Sequence, residues 1–285
     1  MIPETLDRYN FWKLMVFPVT ISILLVIMAS YNFLAFHLLA EFIPISIAYI
    51  IFAFAWFTYD FSKNTFLMIL ASGYFWIGNL DLIHALSYKG MDLFIFDQGN
   101  TSIQFWIMTR YAEALLLLVT PFLIDYKISK VPVFTIFGII AISIILFTLS
   151  GMMPVAFVDG VGLTSFKIYS EYIIDAILFL AILNLLHHGN SISKEEKTLI
   201  SWSIVLTMCA ELAFTYYVSV YGISNLVGHI FKLFSFWMIF LAVVYSNLRT
   251  PFLNIINLKN YNRNLFETST VGLALAKMDG TLVDA

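Results

Sequence analysis

Four pairs of ionisable residues interrupt otherwise apolar stretches of this chain: Asp81 and His84, Arg110 and Glu113, Glu171 and Asp175, and His229 and Lys232. The members of each pair are three or four residues apart, a spacing that puts them on one face of a helix. Tyr88 extends the first stripe, Trp106 the second, and Asn225 and Ser235 the fourth, while Glu211 adds a carboxyl from a further segment. Five carboxyls (Asp81, Glu113, Glu171, Asp175 and Glu211) thus stand against two fixed cations, Arg110 and Lys232. Carboxylates left unpaired at low dielectric either take up protons or bind a cation. The constellation therefore suits a proton, a metal ion or a cationic or amphoteric small molecule. His84 and His229, on different segments, are candidate ligands for a divalent metal or for the two faces of a haem. The alternative role is structural, with pairs such as Arg110 with Glu113 or Lys232 with Glu211 fixing helix register. His187 and His188 fall at the end of an apolar segment and His37 in a short turn, and all three read as interfacial. No nucleophile with a neighbouring base, phosphate-binding glycine loop or HExxH motif stands out, so no catalytic chemistry is expected of this segment.

Such groups need elements to carry them, and the composition says which. Of 285 residues, 61% are hydrophobic and 12% charged, against roughly 45–50% and 25% in an ordinary soluble domain. Apolar runs long enough to cross about 30 Å of hydrocarbon at ~1.5 Å per residue fall near 14–35, 41–60, 64–86, 103–124, 131–150, 167–187, 198–220 and 224–248. The expected fold is an all-α integral membrane bundle of about eight transmembrane helices. Its first segment, behind Arg8 and Lys13, is too long for a signal-peptide core and reads as an uncleaved anchor.

Ten Lys and Arg residues, from Arg8, Lys13 and Lys63 to Arg249, Lys259 and Arg263, fall on the side of the termini, whereas Lys89 and Lys167 fall in the opposite loops. The positive-inside rule then puts both termini in the cytoplasm, with the bundle in the inner membrane. A seven-helix count is the competing reading, since the turn at 221–224 is short, but it scatters the positive charge over both faces. Counted from the outer helix ends, the polar stripes lie on the order of 5–15 Å deep, in one layer of the outer half. The loops at 87–101 and 151–166 have a composition that could cap the bundle. The single cysteine, Cys209, excludes an intrachain disulfide framework, and the lack of a basic patch argues against nucleic acid as a partner.

Beyond the membrane part (1–248), residues 249–264 read as a cytoplasmic connecting helix. Residues 265–285 resemble the opening of a PAS domain: a short Leu265-Phe266-Glu267 helix, a Val271-Gly272 turn, a strand, an Asp279-Gly280 hairpin turn and a second strand. Two strands cannot fold alone, so this α/β start is read as truncated, with more chain expected after it.

The run Asp81-Leu82-Ile83-His84-Ala85-Leu86-Ser87-Tyr88-Lys89-Gly90-Met91, then Phe105-Trp106 with Arg110, then Gly228-His229-Ile230-Phe231-Lys232, resembles the third class of bacterial membrane-associated sensor (MASE) domains over residues 10–248. The resemblance implies an input module placed ahead of PAS, histidine kinase or diguanylate cyclase domains. It also implies that the family's polar motif falls on Asp81, His84, Tyr88, Gly90, Met91, Trp106, Arg110, His229 and Lys232. The resulting expectation is a receptor, signalling as a homodimer, that binds a small ligand, metal or proton through Asp81, His84, Tyr88, Trp106, Arg110, Glu113, Asp175, Glu211, His229 and Lys232. Its last helix passes the signal through 254–264 to the PAS domain. The alternative is a haem- or metal-binding redox or proton-transport membrane protein.

Overall fold

The computed structural model describes residues 8–93, 98–189, 192–215, 222–244, 250–268, 275–276 and 282–284. Its helices are α1 (Arg8–Tyr31), α2 (Phe33–Ser62), α3 (Thr65–Leu86), α4 (Gln98–Val119), α5 (Lys130–Leu149), α6 (Ser165–His188), α7 (Lys194–Phe214), α8 (Ile223–Val244) and α9 (Thr250–Thr268). The first eight are long and apolar enough to cross a membrane, the all-α bundle that the hydropathy predicts.

Helix ends follow side-chain caps, which supply acceptors for backbone N–H groups that a helix cannot satisfy by itself. Asn32 accepts from the Ala35 N–H at the start of α2, Asn64 from Leu67 at α3, Thr164 from Lys167 at α6, and Ser193 with Glu196 forms a reciprocal capping box at α7. Lys63 closes α2 in the left-handed conformation, φ 51°. The Asn32 cap corrects one sequence boundary. The first two apolar segments are separated by this single residue, so α2 is 30 residues long and begins at Phe33. His37 is therefore not in a turn at the interface. It is buried inside α2, 1% exposed.

The helices pack in a closed ring, α2 against α3, α3 against α4, α4 against α6, α6 against α7, α7 against α8 and α8 back against α2. Helix α1 lies outside on α2 and α8, and α5 outside on α3 and α4. Burial agrees: 72% of the apolar span of α3 and 61% of that of α8 is buried, but only 17% for α1 and 28% for α5. Every predicted polar stripe lies on a ring helix. The peripheral α1 and α5 carry no acidic residue or histidine.

The ring is held by close approaches and by hydrogen bonds between helices. A Cβ added at Gly228 would meet the Phe214 ring at 2.4 Å, and one at Gly73 would meet Leu116 at 2.4 Å. Ser235 of α8 bonds Ser203 and Thr207 of α7 at 2.8 and 2.7 Å, and Asn184 of α6 donates to the Leu118 carbonyl of α4 at 2.6 Å. In hydrocarbon such small residues and hydroxyls hold helices together where a hydrophobic drive is lacking.

Strands β1 (Phe157–Val158) and β2 (Gly162–Leu163) form a small antiparallel hairpin between α5 and α6. Asn100 Oδ1 accepts from the Ala156 and Phe157 N–H groups, and Gln104 Nε2 donates to the Pro154 carbonyl at 2.9 Å. Buried Ala156 and Phe157 join Tyr88, Ile103, Trp106 and Phe214 in an apolar cluster over this end of the ring. The loop at 151–166 thus caps the bundle, while 94–97 of the other loop lies outside the described residues.

At the C-terminus α9 runs through Leu265, Phe266 and Glu267 without a break at 264. Strands β3 (Leu275–Ala276) and β4 (Leu282–Asp284) pair antiparallel. The Val271-Gly272 and Asp279-Gly280 turns lie outside the described residues.

Candidate functional site

Six helices meet in one buried polar cluster at the end of the ring where α3 and α7 finish and α4, α6 and α8 begin. Glu41 of α2, fully buried, holds its centre. Its Oε2 is 2.6 Å from Lys232 Nζ of α8, and Lys232 Nζ is 3.1 Å from Asp81 Oδ2 of α3. Arg110 Nη2 of α4 donates to both Asp81 oxygens at 2.6 and 2.8 Å, and Nη1 pairs with Glu113. The Tyr74 hydroxyl donates to the other Glu113 oxygen at 2.8 Å. This ladder of alternating charge crosses from α2 through α8 and α3 to α4.

Trp106 serves as its wall. The Arg110 guanidinium and the Lys232 ammonium lie 4.8 and 4.7 Å from its ring centre, a double cation–π contact. Its indole N–H donates to Glu211 Oε2 of α7 at 3.2 Å. Arg110 and Lys232 therefore each have a carboxylate and an aromatic face, which is how a charge is retained away from water.

Toward the capped end of the ring lie three histidines. His37, one turn before Glu41 on α2, stacks on Tyr88 with ring centres 3.5 Å apart and meets His229 edge-on at 4.9 Å. His84 Nδ1 is 2.8 Å from the Ser102 carbonyl, so that nitrogen carries the proton and Nε2 faces inward as a lone pair. Glu41 Oε1 lies 3.1 Å from His229 Nδ1 and 4.0 Å from His84 Nε2. The 3.1 Å approach misses hydrogen-bond alignment. Among the described residues, Glu41 Oε1, His229 Nδ1, His84 Nε2 and both His37 nitrogens have no hydrogen-bond partner. His37, His84, His229, Tyr88, Trp106, Asn225 and Lys167 line a cavity with about 20 Å³ open to the centre of a water-sized sphere, enough for about one water or ion.

The sequence-predicted residues divide accordingly. His84, Tyr88, Trp106 and His229 line the cavity. Asp81, Arg110, Glu113 and Lys232 do not; they form the ladder of ion pairs beside it. Arg110 does pair with Glu113, as the spacing suggests, but Lys232 pairs with Glu41 and Asp81, and Glu211 instead accepts from Trp106. Asp175 is buried on α6 with neither oxygen hydrogen-bonded, and no ion pair joins it to the histidines among the described residues. Lys167 is a further correction: rather than sitting in a loop, it is 1% exposed in the first turn of α6 and paired with Glu171. A haem does not fit, because the rings of His37, Tyr88 and Trp106 occupy the space between and around His84 and His229.

The two residues that sequence reasoning missed, His37 and Glu41, sit at the centre. Their i, i+4 spacing places them on one face, together with buried Phe36, Ala40, Pro44 and Ala48. The available signal was Asn32, an N-cap residue between two apolar runs.

A bundle of eight helices long and apolar enough to cross a membrane is a multi-pass membrane protein, and this one buries an ionisable cluster at one end. The sequence model of the MASE3 family, described as a membrane-associated sensor domain, matches residues 28–251. The chain belongs to this family of membrane sensor domains, which are input modules rather than catalytic ones. The match omits most of α1, one of the two helices outside the ring. Neither the search of curated proteins nor that of solved structures found a match.

Proposed function

We propose that this chain is the transmembrane input domain of a signal-transduction protein. The cluster around Glu41, His37, His84 and His229 receives the signal, and α8 passes it toward α9. The observation that carries this reading is the placement of α8. Near its beginning it contributes His229 and Lys232 to the cluster, and it then runs the length of the bundle to Val244, a few residues before α9 starts at Thr250. A ligand that favours one of two packings of α8 against α2 and α7 would shift the position of α9, and a shift of this kind needs only a difference in affinity between the packings. Asp81, Arg110, Glu113, Trp106, Tyr88 and Glu211 orient the binding groups.

The same reading places the bundle in the cytoplasmic membrane with both termini inside, in keeping with the Lys and Arg distribution. It takes residues 265–285 as the beginning of a PAS domain, ahead of a histidine kinase or, second in preference, a diguanylate cyclase output, in a homodimer. The test uses the full-length protein in native membranes. His84→Ala and His229→Ala abolish the change in output activity while expression and thermal stability stay near wild type. If the cluster only braces the bundle, the same variants lose stability, and whatever protein survives still responds.

A further inference from the structure

We propose that His37, Glu41 and His229 bind a divalent transition-metal ion, with His84 as the fourth ligand. The inference rests on the sensor reading and names its ligand class. The ligating atoms of His37, Glu41 and His229 all lie within 4.8 Å of one another, and His84 Nε2 is 4.0 Å from Glu41 Oε1. Metal–ligand bonds of ~2.0–2.1 Å require only that these side chains turn by a fraction of their length toward a shared centre.

Outer contacts already orient the set. The Ser102 carbonyl fixes the His84 tautomer so that Nε2 points inward, and Lys232 occupies Glu41 Oε2, leaving Oε1 for the ion. Support of this kind is what metal-ligating histidines and carboxylates receive from their surroundings. The free nitrogens also need explaining. Buried imidazole nitrogens without partners are costly, and His37 has two of them at 1% exposure. Charge points the same way. In formal charge the three ladder carboxyls, Glu41, Asp81 and Glu113, outnumber Arg110 and Lys232 by one, Lys167 is matched by Glu171, and Glu211 adds a further carboxyl beside the ladder, a balance that favours a cation. Three imidazoles and one carboxylate suit Zn²⁺, Ni²⁺ or Cu²⁺, whereas Ca²⁺ and Mg²⁺ call for oxygen ligands.

The test is a titration of the chelator-stripped full chain, in lipid nanodiscs, with Co²⁺ and then Zn²⁺. One Co²⁺ per chain should bind with visible d–d absorption, and Zn²⁺ should displace it. His37→Ala and His229→Ala should each weaken binding by roughly 10–100-fold or more, while His187→Ala, on the exposed end of α6, should not. Wild-type protein that retains neither ion at micromolar concentration overturns the proposal whatever the variants do. So does Co²⁺ binding that His37→Ala and His229→Ala leave unchanged in folded protein. Binding without any effect of Zn²⁺ on output keeps the metal site and removes its sensing role; a signal response without metal binding does the reverse.

Discussion

The Lys232 ammonium lies 2.6 Å from the Glu41 carboxylate, across 191 residues of chain, and joins the eighth membrane helix to the second. Both groups are buried, at 2% and 0% exposure, so neither can turn to water if the other is removed. Breaking a buried pair costs about 3–5 kcal/mol, whereas replacing both partners with apolar groups is often nearly neutral. Glu41→Leu should lower the thermal midpoint strongly. Lys232→Met should do so at least as strongly, because Glu41 is then left without a fixed cation, whereas Lys232 keeps Asp81 at 3.1 Å when Glu41 is replaced. The double variant should be more stable than the sum of the two losses predicts. Additive losses in a double-mutant cycle would show that the pair is not coupled.

Close packing of α7 on α8 sets a second expectation. A methyl group at Gly228 would meet the Phe214 ring at 2.4 Å, so Gly228→Ala should destabilise the bundle by about 1–3 kcal/mol, the usual range for overpacking. Adding Phe214→Leu should recover most of the loss. Thermal unfolding in detergent reads both, and an unchanged midpoint for Gly228→Ala would contradict the packing.

Orientation in the membrane is checked by reporter fusions. Fusions after Asn100 and Gly160 should read extracytoplasmic, and those after Lys127 and Ser193 cytoplasmic. The structure puts Lys89 with Asp159 at one end of the bundle and Lys130 with Asp60 at the other. A cytoplasmic signal at Gly160 would invert the proposed orientation.

The eight spans and much of the cluster were legible in the sequence, since ionisable residues at helical spacing inside apolar runs have few places to go except inward. Asp81, His84, Arg110, Glu113, His229 and Lys232 were found this way. His37 and Glu41 escaped because an averaged hydropathy trace cannot resolve a break one residue wide, and Asn32 is that break. Lys167 escaped for a related reason: a lysine next to an apolar run resembles a loop residue until its partner Glu171, one turn on, is seen to be buried with it. The Lys232 pairing was out of reach because it joins helices distant in sequence, and spacing within a helix carries no information about which helices are neighbours.

In the proposed function, the cluster at one end of the bundle is coupled to α9 beyond the other. Hydrogen–deuterium exchange tests it directly by comparing wild type with His229→Ala and with Gly138→Ala, a control that crowds Trp76 between α5 and α3 and leaves the cluster intact. Amides in 255–264 should exchange at a different rate in His229→Ala and at the wild-type rate in Gly138→Ala, when the two variants are compared at equal stability. Exchange in α9 that is unchanged in both variants, or changed equally, would contradict the coupling and leave the cluster as a structural brace.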